Sequence, residues 1–291
     1  MHKPRAIPIG NQTAFSALTP TQPFDYALAR GFDAFEWFPD KKPDGRGWEA
    51  SDLSAAQRHA IREVAQARGV RLSVHARCQA QPLEPPARRL LLEDLRLAKD
   101  LGAVLLNIHL SVTEGVAAYV QAITWLLDRS SDEGVDLAIE NTPLTTPQDL
   151  NRLFAELRDL DSVPIGHVGM CLDLGHANLC PSTRNDYLDY VDQLDARVPI
   201  IHVHLHENWG DYDSHLPLFT GPAGVDPAGI RGFLKRLWRR HYTGSIILEQ
   251  WPQPPALLDE ARQRLIDWWR ETSTEPARRA TVPGRMQRAG V

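Results

Sequence analysis

Cysteine is scarce: Cys78, Cys171 and Cys180 are the only three in 291 residues. They are too few, and odd in number, for a disulfide framework, which points to a reducing compartment. No apolar run approaches the roughly 18–20 residues needed to cross a bilayer. The opening MHKPRAIPIGNQTAF has no hydrophobic segment of the secretory type. A soluble, cytoplasmic protein without a membrane partner is therefore expected. Positive charge is not in excess, since the formal net charge is −5. No global field favours a polyanion, so nucleic acid is a disfavoured partner, although a local basic groove would escape this sum. A Gly-rich phosphate turn after a strand is also missing, which weakens an open doubly wound sheet.

What is present has the composition of an ordinary globular protein, 43% apolar and 24% charged. One unit recurs: a helical pattern, a glycine, then a short apolar run with a polar end. It reads ARGFDAFEW, ARGVRLSVH, DLGAVLLNIH, DEGVDLAIE, PIGHVGMCLD and HYTGSIILEQ, with Gly31, Gly69, Gly102, Gly134, Gly166 and Gly244 as the helix-ending residues. The first five glycines recur roughly every 32–38 residues, about one βα unit. Ala6–Gly10 and Ile200–His206 complete eight strand candidates. Between them, Ser54 and Gln57 form a capping box for a helix to Arg68, and Leu90, Leu91, Leu95, Ala98 and Leu101 make an apolar stripe. A last helix over about Pro255–Glu271 should bury Leu258, Ala261, Leu265, Trp268 and Trp269. The fold expected is a single (β/α)8 TIM barrel over residues 1–271, with a metal site at the C-terminal face of the strands. Residues 272–291, TSTEPARRATVPGRMQRAGV, read as a solvated basic tail. The irregular Phe38–Asp52 segment falls on the active face, as a lid or substrate contact.

The last polar residues of strands two to eight are Glu36, His75, His109, Glu140, Asp173, His204 and Glu249. A closed barrel converges these ends on one axis, and imidazole and carboxylate are the standard N/O ligands of zinc, manganese or iron. A buried unpaired carboxylate is so costly that Glu140 in LAIENT and Glu249 in IILEQW call for a partner. Glu36, His75 and His109 can each be read instead as satisfied structural groups. The densest stretch is PIIHVHLHENWGDYDSH, residues 199–215. There His204 and His206 point the same way along a strand, whereas His202 lies deeper, in the core with a backbone partner.

These residues in this order resemble the xylose isomerase-like TIM-barrel superfamily, which includes sugar isomerases, epimerases and endonuclease IV. The resemblance covers residues 5–270 and rests on SVHA, LNIH, AIENT, CLDLGHAN, HVHLHEN, the DSH at Asp213 and ILEQ. By resemblance to the epimerases, one divalent ion (Mn, Mg, Co or Zn) is held by Glu140, Asp173, His204 and Glu249, and His176 contacts the substrate. In endonuclease IV nine ligands hold three zinc ions, and the matching positions are His75, His109, Glu140, Asp173, His176, His204, Asp213, His215 and Glu249. His75, His109, His176, Asp213 and His215 are thus either additional metal ligands or substrate contacts. Glu36, His206 and Glu207 are expected behind the ligands or against the substrate.

The function this implies is a metal-dependent isomerase or epimerase of a sugar or sugar phosphate, or a related dehydratase. Glu140 and Glu249 would exchange the proton through a metal-stabilised enediolate. A small carbohydrate is the expected partner, and a homo-oligomer is compatible with the chain. The alternatives are a multinuclear zinc phosphodiesterase acting on DNA or another phosphoester, and a non-catalytic sugar-binding barrel. The chain departs from both relatives. Asn208, Trp209 and Gly210 stand where ketose epimerases carry an Arg. Ala76–Ala80 replaces the DNA-reading aromatic segment, and Leu218–Gly224 replaces a Gly-rich turn. Lys41, Lys42, Arg46, Arg77 and Arg184 are the loop cations that could meet phosphates.

Overall fold

The computed structural model describes residues 6–13, 15–160 and 165–274. Eight strands run Ile9–Gln12 (β1), Ala34–Trp37 (β2), Arg71–His75 (β3), Leu105–His109 (β4), Asp136–Glu140 (β5), Val168–Asp173 (β6), Ile200–Leu205 (β7) and Ser245–Leu248 (β8). Each pairs in parallel with its sequence neighbours, and β8 pairs with β1 to close the barrel. Around it lie Gln22–Arg30 (α1), Ala55–Arg68 (α2), Ala87–Leu101 (α3), Val116–Asp132 (α4) and Pro147–Arg158 (α5). Leu174–Leu179 (α6), Tyr187–Gln193 (α7), Pro222–Val225 (α8), Ala228–Arg239 (α9) and Ala256–Thr274 (α10) complete the outer layer. The expected single (β/α)8 barrel is the observed fold.

Local signals act as their chemistry requires. Ser54 Oγ accepts from the Gln57 amide at 3.3 Å and Gln57 Oε1 accepts from the Ser54 amide at 2.9 Å, opening α2. Gly31, Gly69 and Gly102 end α1, α2 and α3 in the left-handed conformation. Gly166 and Gly244 do not act as such caps. Gly244 is instead where a side chain would collide with the Ile201 carbonyl, 2.0 Å from an added Cβ. The apolar stripe of α3 is buried as expected, and so are Leu258, Ala261, Leu265 and Trp269 of α10. Trp268 is only partly covered, under the Arg231 guanidinium. α10 continues through Thr274, so the tail expected over 272–291 lies, from residue 275 onward, outside the described residues.

Two strand-level differences matter for the site. β1 begins at Ile9 rather than Ala6, so Asn11 and Gln12 become strand residues at the barrel mouth. Pro8 has no N–H to donate and joins only through its carbonyl, which accepts from Ile246. Deeper in the barrel, Glu36 on β2 accepts 2.8 Å hydrogen bonds from Ser73 Oγ and from His202 Nε2. The partner of His202 is therefore this carboxylate and not the backbone. Burial pushes the His202 imidazole down, more strongly than Glu36 draws it up.

Candidate metal centre

Register sets the row of donors. His109 stands opposite Glu140 and Asp173 opposite His204 across parallel pairs, while Glu249 follows β8 directly. The barrel therefore brings Glu140, Asp173, His204 and Glu249 to one place, with one donor atom from each inside 4.8 Å of the others. His75, His109 and Glu140 form an adjoining group of the same compactness, and His176, His206, Asp213 and His215 another. Every ligand candidate from the sequence lies in one of these groups. His206, expected behind the ligands, belongs to the third group as a donor.

Secondary contacts orient the rings. A carbonyl oxygen only accepts, so the ring nitrogen facing one carries the proton and the other nitrogen is free for the site. His75 Nδ1 donates to the Ala76 carbonyl at 2.7 Å, leaving Nε2 at 3.2 Å from Glu140 Oε2. His176 Nδ1 donates to the Asn141 carbonyl at 2.8 Å, leaving Nε2 at 3.2 Å from Asp213 Oδ2. His215 Nδ1 donates to the Glu249 carbonyl at 3.1 Å, leaving Nε2 at 3.1 Å from Asp213 Oδ2. Asn141 also clamps Asp173: its Oδ1 accepts from the Asp173 amide at 2.8 Å and its Nδ2 donates to the Asp173 carbonyl at 2.9 Å. Asp173 Oδ1 in turn accepts from the His176 amide at 2.6 Å, starting α6.

Electrostatics make this an ionised site. Burial pushes the Glu140 carboxyl up, but His204 and His109 outweigh it and hold the group well below the ordinary carboxylate range. Glu36 is likewise held well below that range, burial being outweighed by His204 and His202. Asp173 and Asp213 are lowered against the same burial penalty, Asp173 mainly by His176 and His206, Asp213 by His176 and His215. The imidazoles move oppositely. Burial lowers His75 and His215, yet Glu140 draws the first up to about 9 and Glu249 with Asp213 draws the second up to about 9.

The fit to a divalent ion rests on orphaned atoms. Glu140 Oε1, His204 Nδ1 and Glu249 Oε2 are buried without a hydrogen-bond partner among the described residues. They converge, with Nδ1 at 3.5 Å from each oxygen. Three unsatisfied N/O donors aimed at one point are what a divalent cation requires and what a dry core forbids. His204 Nε2, on the far side of the ring, lies 2.8 Å from Glu36 Oε1, but neither atom is aligned for a hydrogen bond. The residues present therefore fit a metal ion.

Glu207 turns away from these groups. Its carboxylate accepts from the Phe219 amide and, at 2.6 Å, from the Ala223 amide, so it anchors the loop leading into α8. Burial raises this carboxyl, against the pull of those amides. The site opens into a cavity of about 510 Å³ lined by His75, His109, His176, Asp213, His215 and Glu249, with Phe15, Phe38 and Trp251 as its aromatic walls. A separate cavity of about 420 Å³, lined by Leu174, Tyr187 and Ile230, meets the donor groups only at His206. Asn141, Gln12 and Gln250 are site residues that sequence reasoning passed over. Asn141 carried a signal, in AIENT beside Glu140, whereas the two glutamines carried none.

A family model described as xylose isomerase-like TIM barrel matches residues 24–272. An uncharacterized protein of Methanocaldococcus jannaschii, MJ1311, is 31% identical over 103 residues, which is 33% of this chain and 32% of that protein. The chain thus spans about a third of that relative's length. Among solved structures, a D-tagatose 3-epimerase-like protein superposes with a TM-score of 0.70 at 21% identity, covering 91% of this chain and 99% of that one. The TTHB071 protein of Thermus thermophilus, soaked with ZnCl2, gives 0.62 at 21% identity, covering 88% and 97%. At such identities the likeness is one of fold, and chemistry has to be argued from the site.

Proposed function

Because the chain belongs to the xylose isomerase-like TIM-barrel family, we propose that it is a divalent-metal-dependent isomerase or epimerase of a sugar or sugar phosphate, or a related dehydratase. The observation that carries this is the pair of buried carboxylates, Glu140 and Glu249, each 3.5 Å from His204 Nδ1, with Glu249 and the Glu140 partners His75 and His109 lining a small-molecule cavity. A bound Mn, Mg, Co or Zn ion would supply Lewis acidity toward a substrate carbonyl and its neighbouring hydroxyl. Glu140, Asp173, His204 and Glu249 would hold it. Glu140 is ionised, because the imidazoles around it outweigh its burial, and so is in the form that can accept a proton. Glu140 and Glu249 approach the bound carbon from different strands, one removing the proton and the other returning it. His75 and His176 are in reach to hydrogen-bond hydroxyls, and Phe38, packed 4.6 Å from the His75 ring, shields the site from water.

A second reading, a multinuclear phosphodiesterase, is favoured by one observation: two of the three donor groups share Glu140, and His176 of the third lies 3.2 Å from its Oε1. The cations weigh against it. Lys41 is tied to Asp52, Lys42 to Asp40, Arg46 to Asp44 and Arg77 to Asp94. A polyanion would have to break those pairs to gain its phosphate contacts.

The test is solvent exchange. The metal-loaded protein is incubated with a panel of ketoses and ketose phosphates in D2O, and NMR follows deuterium entering the carbon beside the carbonyl. Exchange on at least one sugar is expected, with no nicking of abasic-site DNA. Nicking without exchange would overturn the reading in favour of the phosphodiesterase.

A further inference from the structure

One wall of the site cavity carries polar groups that neither the metal donors nor the fold employ. Gln12 ends β1 and Gln250 lies just beyond β8, the strand paired with β1, so both reach the same end of the barrel. They line the cavity together with Trp251. Gln12 is 5% exposed, Gln250 6% and Trp251 7%. Gln12 Oε1, both amide atoms of Gln250 and Trp251 Nε1 nevertheless have no hydrogen-bond partner among the described residues. A buried polar atom without a partner is costly, and four of them belong to residues lining this one cavity, where a bound molecule could supply the partners.

The set contains donors and acceptors and no charge. Apolar faces of Phe15 and Phe38 share the same cavity. Arg46 is its one lining Lys or Arg among the described residues, and both Arg46 Nε and a terminal guanidinium nitrogen already lie 2.8 Å from Asp44 Oδ2. A phosphate beside the glutamines would find no free guanidinium or ammonium group. A hydroxyl, which donates and accepts at once, satisfies every one of the four atoms.

We infer that Gln12, Gln250 and Trp251 form the hydroxyl-recognising subsite, and that the substrate is an uncharged, unphosphorylated sugar or polyol. This rests on the isomerase reading for the role of the metal, but it makes its own claim about what binds. Its polar hydroxyls meet the amides and the indole N–H, and its C–H face lies against the aromatic walls.

The experiment is calorimetric binding to the metal-loaded full chain, using uncharged pentoses and hexoses, D-fructose among them, beside their terminal phosphates. An uncharged sugar is expected to bind at least tenfold more tightly than its phosphate. Gln250→Met should weaken that binding about tenfold, the loss of one or two hydrogen bonds, with metal content by mass spectrometry unchanged. Should Gln250→Met fail to fold, Gln12→Met carries the same expectation. Tighter binding of the phosphates, failure of every uncharged sugar to bind, or an unchanged Kd in a folded glutamine variant would each overturn the inference. Glutamine-dependent sugar binding without proton exchange would sink the isomerase reading and leave this subsite standing. Exchange confined to sugar phosphates would do the reverse.

Discussion

The Glu36 carboxylate accepts a 2.8 Å hydrogen bond from His202 Nε2 one layer beneath the metal centre, with both side chains almost wholly buried. Its other oxygen lies 2.8 Å from His204 Nε2. Glu36 thus sits between a core histidine and a donor histidine and places its negative charge behind the latter's ring, where carboxylates raise the basicity of metal-bound imidazoles. Replacing it by Gln removes the charge and keeps the shape. Glu36→Gln should weaken metal binding by about 10–100-fold. A lower melting temperature is also expected, since His202 keeps only a neutral partner. Titration with metal and thermal unfolding check both, and unchanged metal affinity would mean that Glu36 is only a core acceptor.

Glu249→Gln addresses the chemistry directly. A positioned proton-transfer group typically contributes 10²–10⁴-fold, so turnover should fall by about that factor or more. The fold should survive, because Glu249 Oε2 makes no hydrogen bond that the variant would lose. Circular dichroism and the D2O exchange rate are the paired measurements. Retained activity in a folded variant would remove Glu249 from the catalytic assignment.

Proton linkage gives a prediction of opposite sign for the metal-free and metal-loaded protein. Without metal, His75 and His215 lie at about 9, drawn up against their burial by Glu140 and by Glu249 with Asp213. A raised imidazole contributes stability that is complete below its unfolded value of about 6.5 and lost as pH passes its folded value. The melting temperature of the metal-free protein should therefore decline between pH of about 6.5 and 9. A cation held by Glu140 and Glu249 would disfavour the charged forms of the neighbouring His75 and His215, and His204 must be neutral to ligate, so apparent metal affinity should climb across the same interval. Calorimetry near neutral pH in buffers of differing ionisation heat should register release of roughly two or more protons per chain. Proton-independent binding would show that the ion sits elsewhere.

Asn141 holds two neighbours at once, with reciprocal bonds to Asp173 and a carbonyl that accepts from His176. Asn141→Ala removes the side-chain half of this clamp and leaves the Asp173 amide and carbonyl short of partners. A loss of about 1–3 kcal/mol in denaturant unfolding is expected, together with reduced metal content after dialysis. The Asn141→Asp variant should be worse for metal-free stability, because it adds a buried carboxylate beside Asp173.

The sequence by itself determined the barrel and the donors. Glycine-punctuated βα units admit few architectures, and a closed parallel barrel sends every strand end to one axis. Strand positions alone grouped Glu36, His75, His109, Glu140, Asp173, His204 and Glu249, and the family resemblance singled out Glu140, Asp173, His204 and Glu249 among them. Local pattern also located the α2 capping box and the buried face of α3. Tertiary structure decided what depends on side-chain direction and on contacts across long stretches of chain. Glu36 and His202 are 166 residues apart and meet only because the barrel closes. His206 joined a donor group, and Glu207, the next residue, turned to the Phe219 and Ala223 amides, because just past β7 Glu207 bridges to Leu216 rather than continuing the barrel. Gln12 and Gln250, far apart in sequence, came to line one cavity when β8 paired with β1. A glutamine has no periodicity or motif to mark it. Its meaning here lies in the missing hydrogen bond, and only a folded barrel can leave one missing.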